Sequence, residues 1–368
     1  VARLLKFFIF MGFVMTFCAV IGAGVLFVVT AGDPLGFART TLLRLSLEAR
    51  AEDLKRSVST DATEQIFTVE PGDTPTVIAN ELLRNNLIID AQLFVDYVQV
   101  EGLDRQLEAG TYFLNQTQTI PEIAVTLTDS SKASILFRLL EGYRIEQIAE
   151  AIDQNPRFSF SGADFLTVTG PGATIDTTTA QRLGIPLGAS LEGFMFPETY
   201  ILPPSITALG LRDRLLQQFT TAVGNQIPVD ASSQGLTMRE IVTLASIVER
   251  EAVWEDEHPL IASVYRNRLA IGMKLDADPT VQYAAAETRD GWWPNITVAD
   301  YQNVVSAYNT YLNTGLPPGP IANPGLAAIR AATYPESSDY FYFRARCDGS
   351  NYHNFAVNFE EHLANACT

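Results

Sequence analysis

Basic residues are scarce in this sequence: among 368 residues, 25 Lys and Arg stand against 42 Asp and Glu, for a net charge of -17. A nucleic-acid partner needs a basic face that displaces counterions, so that class of function is excluded. An acidic surface instead keeps a secreted domain soluble. Histidine and cysteine are equally sparse, with only His258, His353 and His362, and only Cys18, Cys347 and Cys367. No C-x-x-C and no H-E-x-x-H occurs, so the chain carries neither a metal nor a cofactor signature. G-x-S-x-G and S-x-x-K are missing too, which removes the nucleophile that a serine peptidase would need.

Charge is absent altogether from Phe7 to Thr30. That apolar run exceeds the ~7 to 15 residues of a cleaved signal peptide and reaches the ~20 needed to cross a bilayer. Arg3 and Lys6 flank it, so residues 1–6 are expected in the cytoplasm, 7–30 in an inner (cytoplasmic) membrane, and Asp33 onward outside. Beyond the membrane lies an oxidising compartment, where Cys347 and Cys367 could pair or remain free thiols.

Residues 31–65 mix Leu with many charges and read as a stalk, partly helical. A repeat comes next: Phe67, Val69, Gly72, Ile78, Ala79 and Leu82 recur seventy positions later as Phe137, Leu139, Gly142, Ile148, Ala149 and Ile152. Each copy reads strand, turn, helix, and between them Phe94 to Val98 suits a helix and Gly110 to Phe113 a returning strand. Such β-α-α-β units resemble the LysM fold, so residues 66–155 are read as a LysM-like region that grips glycan or merely holds the C-terminal unit at a set distance from the membrane. A glycine-rich connector covers 156–190, and residues 191–368 form the unit that holds the chemistry. The expected fold class is α+β.

Thr237-Met238-Arg239-Glu240 has the form of a capping box, so a helix should start there and run to about Glu251. Ile241, Leu244, Ala245 and Val248 make its apolar face, and Glu251, seven residues after Leu244, lies on the same side. Glu249 points elsewhere. The negative end of the helix dipole and partial burial both disfavour ionisation of Glu251, which suits an acid that protonates a leaving oxygen and then serves as base. On position alone a solvated helix end is the plainer reading.

Further segments alter that balance. Leu244-Ala245-Ser246-Ile247-Val248-Glu249-Arg250-Glu251 resembles the catalytic-helix motif of the endolytic murein transglycosylases. Leu191 to Tyr200 (LEGFMFPETY) is similar to that family's E-G-[FW]-x-[FW]-P-[DE]-T segment. Ala262 to Leu269, Gly272 to Leu275, Asp278 to Tyr283, Tyr308 to Tyr311 and Thr314 to Ile321 come after it in the family's order. The likeness runs from about Phe67 to His362 and is strongest from Leu191.

This resemblance implies that Glu251 is the single catalytic acid and base of a lyase. It would cleave MurNAc-β-1,4-GlcNAc bonds in nascent peptidoglycan strands and leave 1,6-anhydro ends, limiting strand length. It also implies a membrane anchor and work beside peptidoglycan synthases. A hydrolase would want a second carboxylate at a set separation, for which Glu192, Glu198, Asp276 and Asp278 are candidates.

Aromatic faces stack on sugar rings, and amide and hydroxyl side chains bond to their substituents, so Tyr308, Asn309, Tyr311, Gln282 and Thr280 are candidate glycan contacts; ordinary packing explains each equally well. Glu249, Glu198 and His353 are candidate supporting residues, and the Pro317-Pro318-Gly319-Pro320 run a rigid wall of the groove. Tyr340 to Phe355 reads as a β-hairpin turning at Cys347 to Ser350. The competing function is a tethered glycan-binding scaffold without catalysis.

Overall fold

A computed structural model describes residues 34–129 and 132–367. Among them no helix is long and apolar enough to cross a membrane, and the anchor expected at 7–30 lies outside the described residues. Among the described residues the fold is mixed α+β, with many helices and three two-stranded antiparallel sheets. It divides into two compact units, one ending at Ser134 and the other beginning at Ile135.

In the first unit, helix α1 (Pro34–Ala49) and a short α2 (Ala51–Leu54) precede strand β1 (Gln65–Val69). The expected stalk is therefore partly helical, and Leu47 is buried in the unit's core while Arg50 pairs with Asp90 at 2.8 Å. Then come α3 (Pro75–Arg84), α4 (Ala91–Val100), β2 (Gly110–Leu114) and α5 (Ile120–Leu127). Thr74 and Asp90 cap α3 and α4 through their side chains, and Thr119 with Glu122 closes a capping box on α5. β1 and β2 pair with Phe67 opposite Tyr112, giving the β-α-α-β order over a core that includes Ile78, Leu82, Phe94 and Val98.

The second unit opens on the other copy of the repeat, so the boundary between units falls between the two copies rather than after both at 155. β3 (Ile135–Arg138) leads through a turn to α6 (Ile145–Asp153), and Gly72 and Gly142 hold the same turn position with φ of 94° and 75°, where a side chain is disfavoured. The segment expected as a connector carries helices α7 (Gly162–Thr169) and α8 (Thr177–Leu183) instead. Ser161 and Asp176 cap them, and Phe165 and Leu183 are buried. β4 (Thr199–Leu202) then returns to pair with β3, with Phe137 opposite Tyr200.

Each copy is closed by one device. The Tyr112 hydroxyl donates to the Glu108 carbonyl at 2.9 Å, and that of Tyr200 to the Phe196 carbonyl at 2.6 Å, each four residues upstream. The duplication therefore extends from strand and helix to the returning strand.

Helices α9 (Ala208–Val223), α10 (Gln226–Ser233) and α11 (Met238–Glu251) come next, then a 3-10 turn (Glu255–Glu257) running into α12 (His258–Ala270). α13 (Asp278–Ala285), α14 (Asp300–Asn303) and α15 (Leu326–Thr333) lead to a hairpin of β5 (Tyr342–Ala345) and β6 (His353–Ala356), closed by α16 (Phe359–Ala364). Nine residues of α11 are buried, and the helix packs against α12, α13 and α15 at the centre of the core. Burial of this kind contributes roughly 1.5–3 kcal/mol for each large apolar side chain.

Two crossings tie loops to that helix. Gly193, at φ 90°, lies where a Cβ would meet Pro320 at 2.5 Å and Val242 at 2.7 Å. Ser246 Oγ accepts from the Ile321 amide at 3.0 Å, and Arg239 donates to the Pro318 carbonyl at 3.3 Å, so the proline-rich run lies along α11. Cys347 and Cys367 form a disulfide that fastens the chain beyond α16 to the hairpin.

Candidate active site

Glu251 is the last residue of α11, whose start is set by the Thr237–Glu240 capping box. Its side chain opens on a cleft of about 410 Å³ walled by α12, the segment from Leu275 to Asp278, Tyr301, Tyr311, the hairpin and α16. Desolvation pushes the Glu251 carboxyl up to about 7, with the negative charge of Asp278 adding to it. A hydrogen bond from the Tyr265 hydroxyl to Oε1 at 2.5 Å, together with Arg268 and Arg250, opposes the rise. A carboxyl so placed holds its proton near neutral pH and can release it, as general acid-base chemistry requires.

Around it the polar groups are fixed from behind. Arg268 spends its guanidinium on the Leu275 and Phe341 carbonyls, both at 2.6 Å, and stands 4.0 Å from Asp276. Asp278 accepts from Tyr311 at 2.6 Å and from Tyr301 at 3.4 Å, and those two rings stack 3.9 Å apart. His353 lines the cleft with its Nδ1 2.8 Å from Glu257, which also accepts the His353 amide at 2.8 Å.

Of the residues expected to touch glycan, Tyr311 lines this cleft; Tyr308, Asn309, Gln282 and Thr280 do not. Tyr308 packs on Tyr283, with ring centres 4.7 Å apart. Asn309 is fully buried, donating to the Tyr301 and Val304 carbonyls and accepting from the Tyr311 amide at 2.9 Å. Thr280 is likewise buried against Thr310 and the Ala277 carbonyl, and Gln282 donates to the Pro294 carbonyl at 3.2 Å. Their polar atoms hold the loop that presents Tyr301 and Tyr311. No residue of the proline-rich run lines the cleft, so it braces the helix instead of walling the groove.

Glu249 faces away from the cleft and accepts from the Gly325 amide at 3.0 Å; desolvation, its largest influence, pushes it up to about 7. Glu198 is exposed, and its part in the fold is a backbone carbonyl that accepts from Leu139 at 2.9 Å. Glu192 is buried, raised to about 8 chiefly by desolvation, and receives the Ile145 amide and the Asn323 side chain. The Asn323 side chain joins four partners, Tyr143, Glu192, Gly193 and Met195. Among the described residues no group of His, Cys, Asp and Glu is arranged to hold a metal.

Tyr265, Arg268 and Tyr301 were not singled out as site residues by sequence, although Tyr265 and Arg268 lie in a motif segment. For Tyr265 and Arg268 the available signal was their place in the helix after Glu251, three residues apart on one face.

A sequence profile of the YceG-like family matches residues 67–368. The chain belongs to the YceG-like family. Over 311 residues it is 30% identical to a Bacillus subtilis (strain 168) protein named endolytic murein transglycosylase, covering 82% of each chain. A protein of the same name from Streptococcus pneumoniae (strain D39) is 29% identical over 316 residues, 81% of this chain and 57% of that one. The crystal structure of a yceG-like protein from Listeria monocytogenes is similar, with a TM-score of 0.54 and 29% identity, covering 82% of this chain and 99% of that one. The YceG-like match thus includes Glu251 and every wall of the cleft.

Proposed function

We propose that this protein is an endolytic peptidoglycan lytic transglycosylase that cleaves MurNAc-β-1,4-GlcNAc bonds in nascent strands, with Glu251 as acid and then base. The names of its relatives support the activity. The observation that carries the assignment of Glu251 is its carboxyl, raised to about 7 and opening on the cleft.

The chemistry turns on one proton. Glu251 gives it to the glycosidic oxygen as the bond to muramyl C1 breaks, and the sugar's acetamido oxygen stabilises the cationic carbon. The ionised Glu251 then takes the proton of the muramyl C6 hydroxyl, whose oxygen closes on C1. A 1,6-anhydro end results and no water is consumed. Tyr265 stabilises the carboxylate in the interval between the two transfers. Asp278, whose oxygens accept from two tyrosines, contributes negative charge beside the cation.

In this reading residues 7–30 anchor the chain in the cytoplasmic membrane, with the described residues outside, where a disulfide is at home. The β-α-α-β region acts as a LysM-like glycan-binding or spacing module, and the enzyme works beside peptidoglycan synthases to limit strand length.

The test is to incubate the region from Asp33 onward with uncrosslinked glycan strands and weigh the products for wild type and Glu251→Gln. Anhydro-ended fragments from wild type alone support the proposal. Reducing ends would instead mean hydrolysis, and no cleavage by folded wild type would favour a tethered scaffold.

A further inference from the structure

The cleft that holds Glu251 has an end that the proposed proton transfers do not use. Arg344, on β5, lines it, and among the described residues its guanidinium has no carboxylate within ion-pair distance and no hydrogen-bond partner. Arg268, the other cationic side chain of the cleft, is fully engaged with backbone carbonyls and Asp276. Next to Arg344 stands His362 of α16, half-buried between Tyr342 and Phe359, with ring centres 5.3 and 5.9 Å away. Its Nδ1 is enclosed yet has no hydrogen-bond partner. Burial first, and then the charges of Arg344 and Arg268, hold this imidazole below its ordinary value.

Arg344 shares the cleft with three carboxylates, Glu251, Asp276 and Asp278, and among the described residues it forms an ion pair with none of them. Its placement inside the cleft therefore points to a negative group on the molecule that binds there. In a glycan strand of alternating N-acetylglucosamine and N-acetylmuramic acid the backbone sugars are neutral, and the muramyl residue alone carries an acidic arm, the 3-O-lactyl group. A strand also offers two different glycosidic bonds, and a groove that feels only rings and acetamido groups could not choose between them. A cation that finds the lactyl arm fixes the register.

Resting on the activity proposed above, we infer that Arg344 and His362 form a subsite for the carboxylate borne on the muramyl lactyl arm. Two sources of that carboxylate exist, the lactyl group itself on stripped strands and the stem peptide where one is attached. The guanidinium supplies a charge-assisted contact, and the His362 ring, packed against Tyr342 and Phe359, forms the wall beside it. Arg344 is a specificity residue here, since no atom that reacts is assigned to it.

The test uses the full-length chain on four substrates: stripped strands and peptide-bearing strands, each with carboxylates free or converted to neutral amides. Arg344→Gln is expected to raise KM roughly tenfold on free-carboxylate strands, the scale of one charge-assisted contact, with kcat and the anhydro products unchanged. Amidation should cost wild type a similar factor and leave Arg344→Gln unaffected, while Arg344→Lys recovers part of the loss. A penalty confined to stripped strands assigns the lactyl carboxylate, and one confined to peptide-bearing strands assigns the stem peptide. Equal KM for wild type and Arg344→Gln on both stripped and peptide-bearing strands with free carboxylates overturns the subsite, as does a loss by Arg344→Gln that persists on amidated strands. Absence of anhydro products from wild type on every strand would sink the activity itself, a separate result.

Discussion

Tyr265 donates its hydroxyl to Glu251 Oε1 at 2.5 Å from a position fourteen residues later, on the helix that crosses behind the cleft. The bond favours the ionised carboxylate, while burial, the larger effect, favours the protonated one. Glu251 must hold a proton to begin the reaction and must be stable without it midway. The tyrosine keeps the second condition from being lost to the first.

Removing that donor with Tyr265→Phe should raise the Glu251 pKa further. The limb of the kcat/KM profile that falls as pH rises through about 7 should then move upward by about one unit, since hydrogen bonds to charged groups contribute about 1.5–3 kcal/mol and one unit corresponds to about 1.4 kcal/mol. A profile that keeps its position while activity drops uniformly would assign Tyr265 to packing alone.

Asp278→Asn should shift the same limb the other way. The aspartate's negative charge adds to the rise at Glu251, and asparagine keeps an oxygen for the Tyr311 hydroxyl to reach. Titration of kcat/KM should show the limb at lower pH than in wild type; an upward shift would mean that the carboxylate acts through geometry, not charge.

The local parts of this site were legible in the sequence, and the long-range parts were not. A capping box and an apolar stripe are written within fourteen residues, so α11 and the side on which Glu251 lies could be read directly. The pairing of β3 with β4 joins segments more than sixty residues apart, and nothing local in the intervening chain signals it. Residue type misled at Asn309 and Thr280. Amides and hydroxyls suit sugars and suit buried loop carbonyls equally, and here the fold uses them for the latter. The contact between Tyr265 and Glu251 arises only when two helices cross.

Glu249 offers a stability test separate from catalysis. Its pKa rises from an ordinary 4.5 to about 7 on folding, so its contribution is fully favourable below 4.5 and is lost as pH climbs through 7. Glu249→Gln cannot ionise, and its side-chain oxygen can still accept from Gly325. The variant should melt above wild type at pH 8, roughly 2–4 °C for each kcal/mol recovered, and match it near pH 4. A constant offset at all pH values would show that the carboxylate's charge is not what costs stability.

The disulfide bears on the cleft through the helix it retains. Cys347 and Cys367 lie 20 residues apart and enclose β6 and α16, and it is α16 that brings Phe359 and His362 to the cleft wall. Closing a loop of that length contributes about 3 kcal/mol through the unfolded state. None of the residues proposed to transfer protons lies within the loop, so reduction should leave the Glu251 end of the cleft in place while loosening the wall opposite. Both dithiothreitol and Cys347→Ser should lower the melting temperature and raise KM more than they reduce kcat, with new protease cleavage confined to the segment after Cys347. If the reduced protein keeps its KM, the hairpin and the aromatic contacts of Tyr342 with α16 hold that wall without the covalent link.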